Sequence, residues 1–186
     1  MPSDFLLERL NLPAFRYLFQ AMIFAAQLGL AAEFELPVLL HVRRAVDPVL
    51  AQLRRRRVLG GLAHAFNGSE QQAAAFVELG FRLGFGGAVT FERALRIRRV
   101  ACAVAADAIV METDSPDIPP QWRYRTAEAR AAGATMRNEP AELARIGAEL
   151  AGLRGDTVES FAAATTANAV ASLPRLAGLL ADAPHD

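Results

Sequence analysis

The segment Ala108–Asp117 combines an apolar run with three acidic side chains. Residues 109–111 (Ile-Val-Met) directly precede Glu112 and Asp114, which predicts a buried parallel strand with carboxylates at its carboxyl end. Alternation of side chains along a strand would place Glu112 and Asp114 on the same face. Carboxylates in this position can bind a divalent metal ion. Asp-Ser-Pro-Asp is also an ordinary turn sequence, so a purely structural role for Asp114 is an equally good interpretation of this segment alone.

Two further short apolar segments carry a histidine near the carboxyl end. Residues 36–42 contain His41, and residues 58–66 contain His64. A single histidine on an apolar strand is more often a packed core residue than a ligand. Two histidines and a carboxylate at matching strand ends instead favour a site for a divalent metal ion that takes part in hydrolysis.

The composition predicts a soluble domain that is able to bury a core. The chain has 186 residues, of which 53% are hydrophobic, and its formal net charge is zero. No apolar run is long enough to span a bilayer, and the first residues lack the layout of a signal peptide. Cys102 is the only cysteine, which agrees with a reducing compartment and predicts a cytoplasmic location. Without net charge, any contact with nucleic acid must be local.

The chain alternates between predicted strands and helices. This order predicts an α/β fold with parallel strands and right-handed crossovers. Four strand-helix units fit either an open sheet or half of an eight-stranded barrel, and candidate ligands at the carboxyl ends favour the barrel. The predicted strands are 36–42, 58–66, 81–87 and 108–113. The predicted helices are 13–35, 46–57, 70–79, 90–105, 140–153, 157–171 and 173–181.

Six short motifs occur in one order along nearly the whole chain. Together they resemble the successive signatures of the TatD family of metal-dependent deoxyribonucleases. The resemblance implies a TIM-type barrel of the amidohydrolase kind, two divalent metal ions (magnesium, manganese or zinc), and hydrolysis of phosphodiester bonds in DNA. The motifs are Leu-Leu-His-Val-Arg (39–43), His-Ala-Phe-Asn-Gly-Ser (64–69), Phe-Gly-Gly-Ala-Val-Thr-Phe (85–91), Met-Glu-Thr-Asp-Ser-Pro (111–116), Arg-Asn-Glu-Pro (137–140) and Thr-Thr-Ala-Asn (165–168).

The resemblance also implies roles for individual residues. His41 and His64 would bind one metal ion. Asp114 would bind the other and would orient or deprotonate the attacking water, which makes it the expected catalytic residue. Glu112 would support these ligands without binding metal itself.

Further expectations concern contacts with the phosphates of the substrate. Ser69 at a helix start and the backbone at Gly86 and Gly87 are candidates, since amides at a helix N-terminus favour anions. Arg137 and Asn138 lie in the loop beyond the last strand, from which they could reach the DNA backbone. Structural roles as caps and turn residues explain these positions equally well.

The sequence departs from the family at its beginning. Family members start with a strand that ends in His-x-His, and their fourth strand carries a glutamate that bridges the two metals; neither segment is present. We therefore expect residues 1–186 to form one partial barrel domain, equivalent to about the last four strand-helix units. The expected consequences are impaired catalysis, at most one well-held metal ion, and self-association through the open edges at 36–42 and 108–113. The alternative is a truncated half-barrel without catalytic activity that packs on a partner chain.

Overall fold

Four parallel strands form the single sheet of the computed structural model, which describes residues 12–181. The ends of the predicted 1–186 domain lie outside the described residues. The strands pair in the order in which they occur in the chain, which confirms the predicted parallel alternation. Each strand is shorter than predicted; β2, for example, ends before Ala65, whose φ of 48° is not extended. The strands are β1 (Val38–His41), β2 (Gly61–His64), β3 (Phe81–Phe85) and β4 (Ile109–Met111).

Eight α-helices accompany the sheet in the described part of the chain. Most match the predicted helices within a few residues, but α5 lies in a region predicted as loop, where Thr126 caps it by accepting a hydrogen bond from the Ala129 amide. The predicted helix 90–105 starts later, because residues 87–90 form a 3-10 turn first. The helices are α1 (Leu12–Glu33), α2 (Val46–Arg55), α3 (Glu70–Glu78), α4 (Leu95–Ala103), α5 (Ala127–Ala131), α6 (Leu143–Arg154), α7 (Val158–Ser172) and α8 (Pro174–Ala181).

The core lies on the face of the sheet that the helices cover. Leu40, Ala63, Leu83 and Ile109 occupy matching register positions on the four strands, and each is at most 4% exposed. Phe85 shares this face because it follows Leu83 by two residues, and it is fully buried. The spacing of two residues therefore assigns Phe85 to the core and leaves Gly84 on the face that carries His64.

The two outer strands of the sheet differ in how they are covered. At the amino-terminal end of β4, Asn168 of α7 donates hydrogen bonds to the carbonyls of Ala106 and Ile109, at 2.7 and 2.8 Å. On β1, Leu39 is 64% exposed, and a groove of about 740 Å³ runs between this strand and α1. The β1 edge is thus the more open one.

Over residues 12–181, no helix is both long enough and apolar enough to cross a membrane.

Candidate metal-binding and hydrolytic site

His64 and Glu112 meet across the strand that separates them. His64 ends β2 and Glu112 follows β4, so β3 lies between them. On β3, Gly84 lies beneath both side chains. Gly84 pairs with Val110 of β4, and the preceding residue, Leu83, pairs with Ala63 of β2. His64 Nδ1 and Glu112 Oε2 are 2.6 Å apart. The absence of a side chain at Gly84 leaves the space that this contact occupies.

Gly84 has little room for a larger residue. A Cβ atom added there would lie 2.7 Å from Cδ and 2.9 Å from Oε1 of Glu112, and closer still to Oε2. The glycines expected near the substrate were Gly86 and Gly87, not Gly84. The signal was available in principle, since a glycine inside a strand often marks a close approach by other atoms.

The Glu112 carboxylate also holds the backbone that follows β2. Its Oε1 accepts a hydrogen bond of 2.6 Å from the Ala65 amide, while its Oε2 contacts the His64 ring. Ala65 has a φ of 48°, in the left-handed region that residues other than glycine seldom adopt. Glu112 therefore fixes both the orientation of the imidazole and the turn directly after it.

Asp114 reaches His64 from the opposite side of the ring. Its Oδ1 lies 3.0 Å from His64 Nε2, so the imidazole stands between two carboxylates. Glu112 and Asp114 were expected on one face because side chains alternate along a strand. That reason does not apply, because β4 ends at Met111 and Asp114 has a φ of 58°. The left-handed backbone, which aspartate tolerates better than most residues, turns Asp114 toward His64.

The two acids change the protonation of the site. Burial lowers the pKa of His64, but attraction and hydrogen bonding to Glu112, and then to Asp114, outweigh burial and leave the net pKa raised. Burial raises the pKa of Glu112, and the neighbouring His64 and the Ala65 amide only partly oppose this. The folded state therefore favours a proton on the His64–Glu112 pair.

We predict a pH dependence of stability that involves His64. Because the folded-state pKa is raised, the imidazolium contributes stability that is complete below the unfolded pKa of about 6.5 and is lost as pH rises through the folded value. Urea unfolding of metal-free protein in EDTA should therefore show wild type losing more stability than His64→Gln as the pH rises from about 6 to about 9. If the stability of the two proteins changed equally with pH, the raised pKa of His64 would be contradicted.

His41 lies beside His64 on the neighbouring strand. The two residues are register partners, and their ring centroids are 5.6 Å apart with the ring planes tilted by 32°. The His41 residue is exposed, on the open face of the sheet. The structure thus gathers His41, His64, Glu112 and Asp114 at the carboxyl ends of the strands.

The two candidate glycines lie beside the acids. Gly86 and Gly87 line a small cavity of about 100 Å³ together with Glu112 and Asp114. Packing accounts for both residues, since a Cβ atom at Gly86 would lie 2.7 Å from the Glu112 carbonyl oxygen, and one at Gly87 would clash with the carbonyl of Ile118.

The other three candidates have different surroundings. Ser69 caps α3: its hydroxyl accepts from the Gln72 amide, and the Gln72 side chain accepts from the Ser69 amide. Arg137 is exposed. Asn138 is only 1% exposed, and its amide nitrogen contacts three backbone carbonyls. Its side chain is therefore engaged inside the protein and does not face a substrate.

The donor set fits part of a divalent-metal site. Two donors at right angles on an octahedral ion with bonds of about 2.1 Å lie about 3.0 Å apart, and His64 Nε2 and Asp114 Oδ1 have this separation of 3.0 Å. The Glu112 carboxylate contacts the other ring nitrogen, Nδ1, as carboxylates do for many metal-binding histidines. Within residues 12–181, however, no group of three or more His, Cys, Asp and Glu side chains is arranged to hold a metal ion.

Comparison with known proteins finds relatives over most of the chain. The profile of the family described as TatD related DNase matches residues 16–173. An uncharacterized metal-dependent hydrolase of Haemophilus influenzae is 42% identical over 132 residues, which cover 67% of this chain and 50% of that protein. The 3'-5' ssDNA/RNA exonuclease TatD of Klebsiella pneumoniae is 37% identical over 152 residues, which cover 80% of this chain and 56% of that protein. The chain spans about half the length of these curated relatives.

Solved structures show the same relationship. The crystal structure of YjjV, a TatD homolog from Escherichia coli K12, matches with a TM-score of 0.69 at 34% identity and covers 80% of this chain and 54% of that one. An uncharacterized amidohydrolase from Saccharomyces cerevisiae matches with a TM-score of 0.63 at 16% identity, over 80% of this chain and 58% of that one, and shows the fold alone. These neighbours are TIM-barrel proteins, which confirms the predicted fold class. The chain belongs to the family of TatD related DNases.

Proposed function

We propose that this chain carries part of the active site of a metal-dependent hydrolase that cleaves phosphodiester bonds in DNA. The observation that supports this most directly is the placement of His64 between Glu112 and Asp114 at the carboxyl ends of the strands. The names of the relatives support metal dependence, and the Klebsiella relative is named for action on nucleic acid. Which ion is used, and the preference for DNA, are parts of the proposal.

The side chains of the site divide the work between holding a metal ion and handling water. With its Nδ1 hydrogen donated to Glu112, a neutral His64 would offer the Nε2 lone pair to a magnesium, manganese or zinc ion in place of its present contact with Asp114, and the Asp114 carboxylate would be the adjacent donor. A bound divalent ion polarises a phosphoryl oxygen and lowers the pKa of bound water. Asp114 has a second carboxylate oxygen with which to orient and deprotonate the attacking water. His41 is placed to add a further nitrogen donor.

The proposed contacts with the phosphates of the substrate involve a few individual residues. Gly86 and Gly87 line the cavity next to Asp114, so their backbone is better placed for a phosphate than the cap residue Ser69. Arg137 is exposed and carries the charge that a phosphate requires. The cytoplasm is the compartment we propose, from the single cysteine.

The test is a metal titration of the purified chain with a fluorescently labelled single-stranded DNA oligonucleotide. We expect cleavage to appear on addition of Mn²⁺ or Mg²⁺ and to stop with excess EDTA, and we expect His64→Asn to weaken Mn²⁺ binding measured by calorimetry. Loss of a partner that only orients a metal ligand lowers affinity or activity by about 10- to 100-fold, and loss of the ligand itself should lower it at least as much. Protein that neither binds these ions nor cleaves the oligonucleotide at any metal concentration would contradict the proposal.

One feature favours a second candidate, a half-barrel without catalytic activity that packs on another chain. Several apolar side chains that line the β1 groove are largely exposed, including Leu39 at 64%, Leu30 at 54% and Tyr17 at 51%. An edge strand with exposed apolar neighbours is prone to pair with another polypeptide.

Substitution of Leu39 tests this surface. We predict that the wild-type chain associates as its concentration rises and that Leu39→Lys weakens association by about 10- to 100-fold, the value of burying one leucine. Leu95→Lys is the matched control, since Leu95 is 73% exposed at the start of α4, away from β1. Size-exclusion chromatography with light scattering measures the effect. A wild-type monomer that melts cooperatively at all concentrations would contradict an associating edge.

A further inference from the structure

Asn138 is buried next to the loop that carries Asp114. We propose that Asn138 is a positioning residue: it sets the backbone on both sides of Asp114, so that the Asp114 carboxylate faces the His64 ring. The proposal deepens the proposed function, on which its catalytic meaning rests.

The side-chain polar atoms and the backbone amide of Asn138 are used inside the protein. Nδ2 lies 2.6 Å from the carbonyl oxygen of Thr113, 2.8 Å from that of Asp117 and 3.2 Å from that of Ile118. Its Oδ1 accepts from the Glu139 amide at 2.9 Å, and its backbone amide donates to the Pro116 carbonyl at 3.0 Å. Two amide hydrogens serve three carbonyls, so one hydrogen is shared.

These contacts bracket Asp114 on both sides. The Thr113 carbonyl belongs to the peptide that joins Thr113 to Asp114, and the Asp117 amide closes the turn by donating to the Asp114 carbonyl at 2.9 Å. Asp114 itself has a φ of 58°. A left-handed backbone at a residue other than glycine persists when its surroundings hold it in place. Here Asn138 supplies that restraint, since it binds the chain immediately before Asp114 and again three residues after it.

A second buried asparagine provides a matched control. Asn168 is 7% exposed, and its Nδ2 donates to the carbonyls of Ala106 and Ile109, before and at the start of β4. Asn138 binds beyond the other end of the same strand. Alanine at either position leaves backbone carbonyls without their side-chain donor and should lower the free energy of unfolding. Only the substitution at Asn138 should release the loop.

The experiment compares Asn138→Ala with Asn168→Ala in the full chain without metal. We expect hydrogen exchange of the Asp117 amide to be about 10-fold or more faster in Asn138→Ala than in Asn168→Ala, after correction for global stability. Crystal structures of the variants should show the separation of His64 Nε2 and Asp114 Oδ1 increased from 3.0 Å in Asn138→Ala and unchanged in Asn168→Ala.

Each alternative result overturns the proposal. Equal exchange in the two variants would mean that Asn138 does not order the loop. Faster exchange with an unchanged His64–Asp114 separation would mean that the loop does not position the carboxylate. Because neither measurement needs metal or turnover, such a failure would leave the proposed hydrolase untouched. Should Asn138→Ala not fold, the side-chain amide protons of Asn138 in wild type still decide the matter, since exchange as fast as that of an exposed asparagine would exclude the proposed contacts.

Discussion

Gly84→Ala is expected to destabilise the protein and to reduce hydrolysis by about 10- to 100-fold, the effect of losing a partner that orients a metal ligand. The added methyl group would occupy the place of the Glu112 carboxylate, within 2.9 Å of three of its atoms. Glu112 would have to withdraw from His64 Nδ1 and from the Ala65 amide. Such overpacking lowers the free energy of unfolding by about 1 to 3 kcal/mol. Urea denaturation and initial rates of oligonucleotide cleavage measure the two effects.

Gly147→Ala is the control for that substitution. A Cβ atom at Gly147, inside α6, meets only Met111 Cε, at 3.9 Å, so alanine should leave activity unchanged and should stabilise the helix by about 0.5 to 1 kcal/mol. In a Glu112→Ala background, Gly84→Ala should lower stability less than in wild type, because the atoms that it would meet are gone. A Gly84→Ala protein as stable and active as Gly147→Ala would show that the contact over Gly84 is not needed.

Asp114→Asn is expected to lower the cleavage rate by about 10²- to 10⁴-fold, the range for loss of a general base. The amide keeps the shape of the side chain but neither accepts a proton near neutral pH nor supplies the negative charge that a metal ion favours. Stability should change much less, because the Asp114 side chain is 31% exposed. Rates at saturating Mn²⁺ separate the chemical effect from weaker metal binding.

Asp117→Asn tests whether that effect is specific to the position. Asp117 is exposed in the same loop, and the same isosteric change there should leave the cleavage rate within about twofold of wild type, as for other surface substitutions. If Asp114→Asn cleaved DNA as fast as Asp117→Asn, the assigned role of Asp114 would be wrong.

The sequence was sufficient to predict the strands and the region of the site. The apolar runs before His41, His64 and Glu112 predicted parallel strands, because buried parallel strands lack polar alternation. Parallel strands place their carboxyl ends at one edge of a sheet, which is why three distant residues could be expected near one another. His64 does contact Asp114 there, and His41 lies beside His64 with the ring centroids 5.6 Å apart.

Local sequence patterns do not reveal contacts between residues that are far apart in the chain. The direct contact of Glu112 with His64 depends on the missing side chain at Gly84, which lies on the strand between them. The direction of Asp114 depends on a left-handed backbone that the motif Asp-Ser-Pro does not reveal. Asn138 was a candidate for substrate contact because it lies in the loop beyond the last strand, with a structural role as the alternative, and its donors are used by carbonyls brought close only by folding.

The open edge at β1 restricts what identical copies can build. Two copies related by a twofold axis and joined through this edge would bring their β1 strands together in antiparallel orientation. Since His41 ends β1, the two sets of histidines would then lie at opposite rims of the joined sheet. Such a symmetric dimer would cover the exposed leucine while leaving each metal-binding group with only its own donors. New donors beside His41 require a neighbouring strand that runs in the same direction.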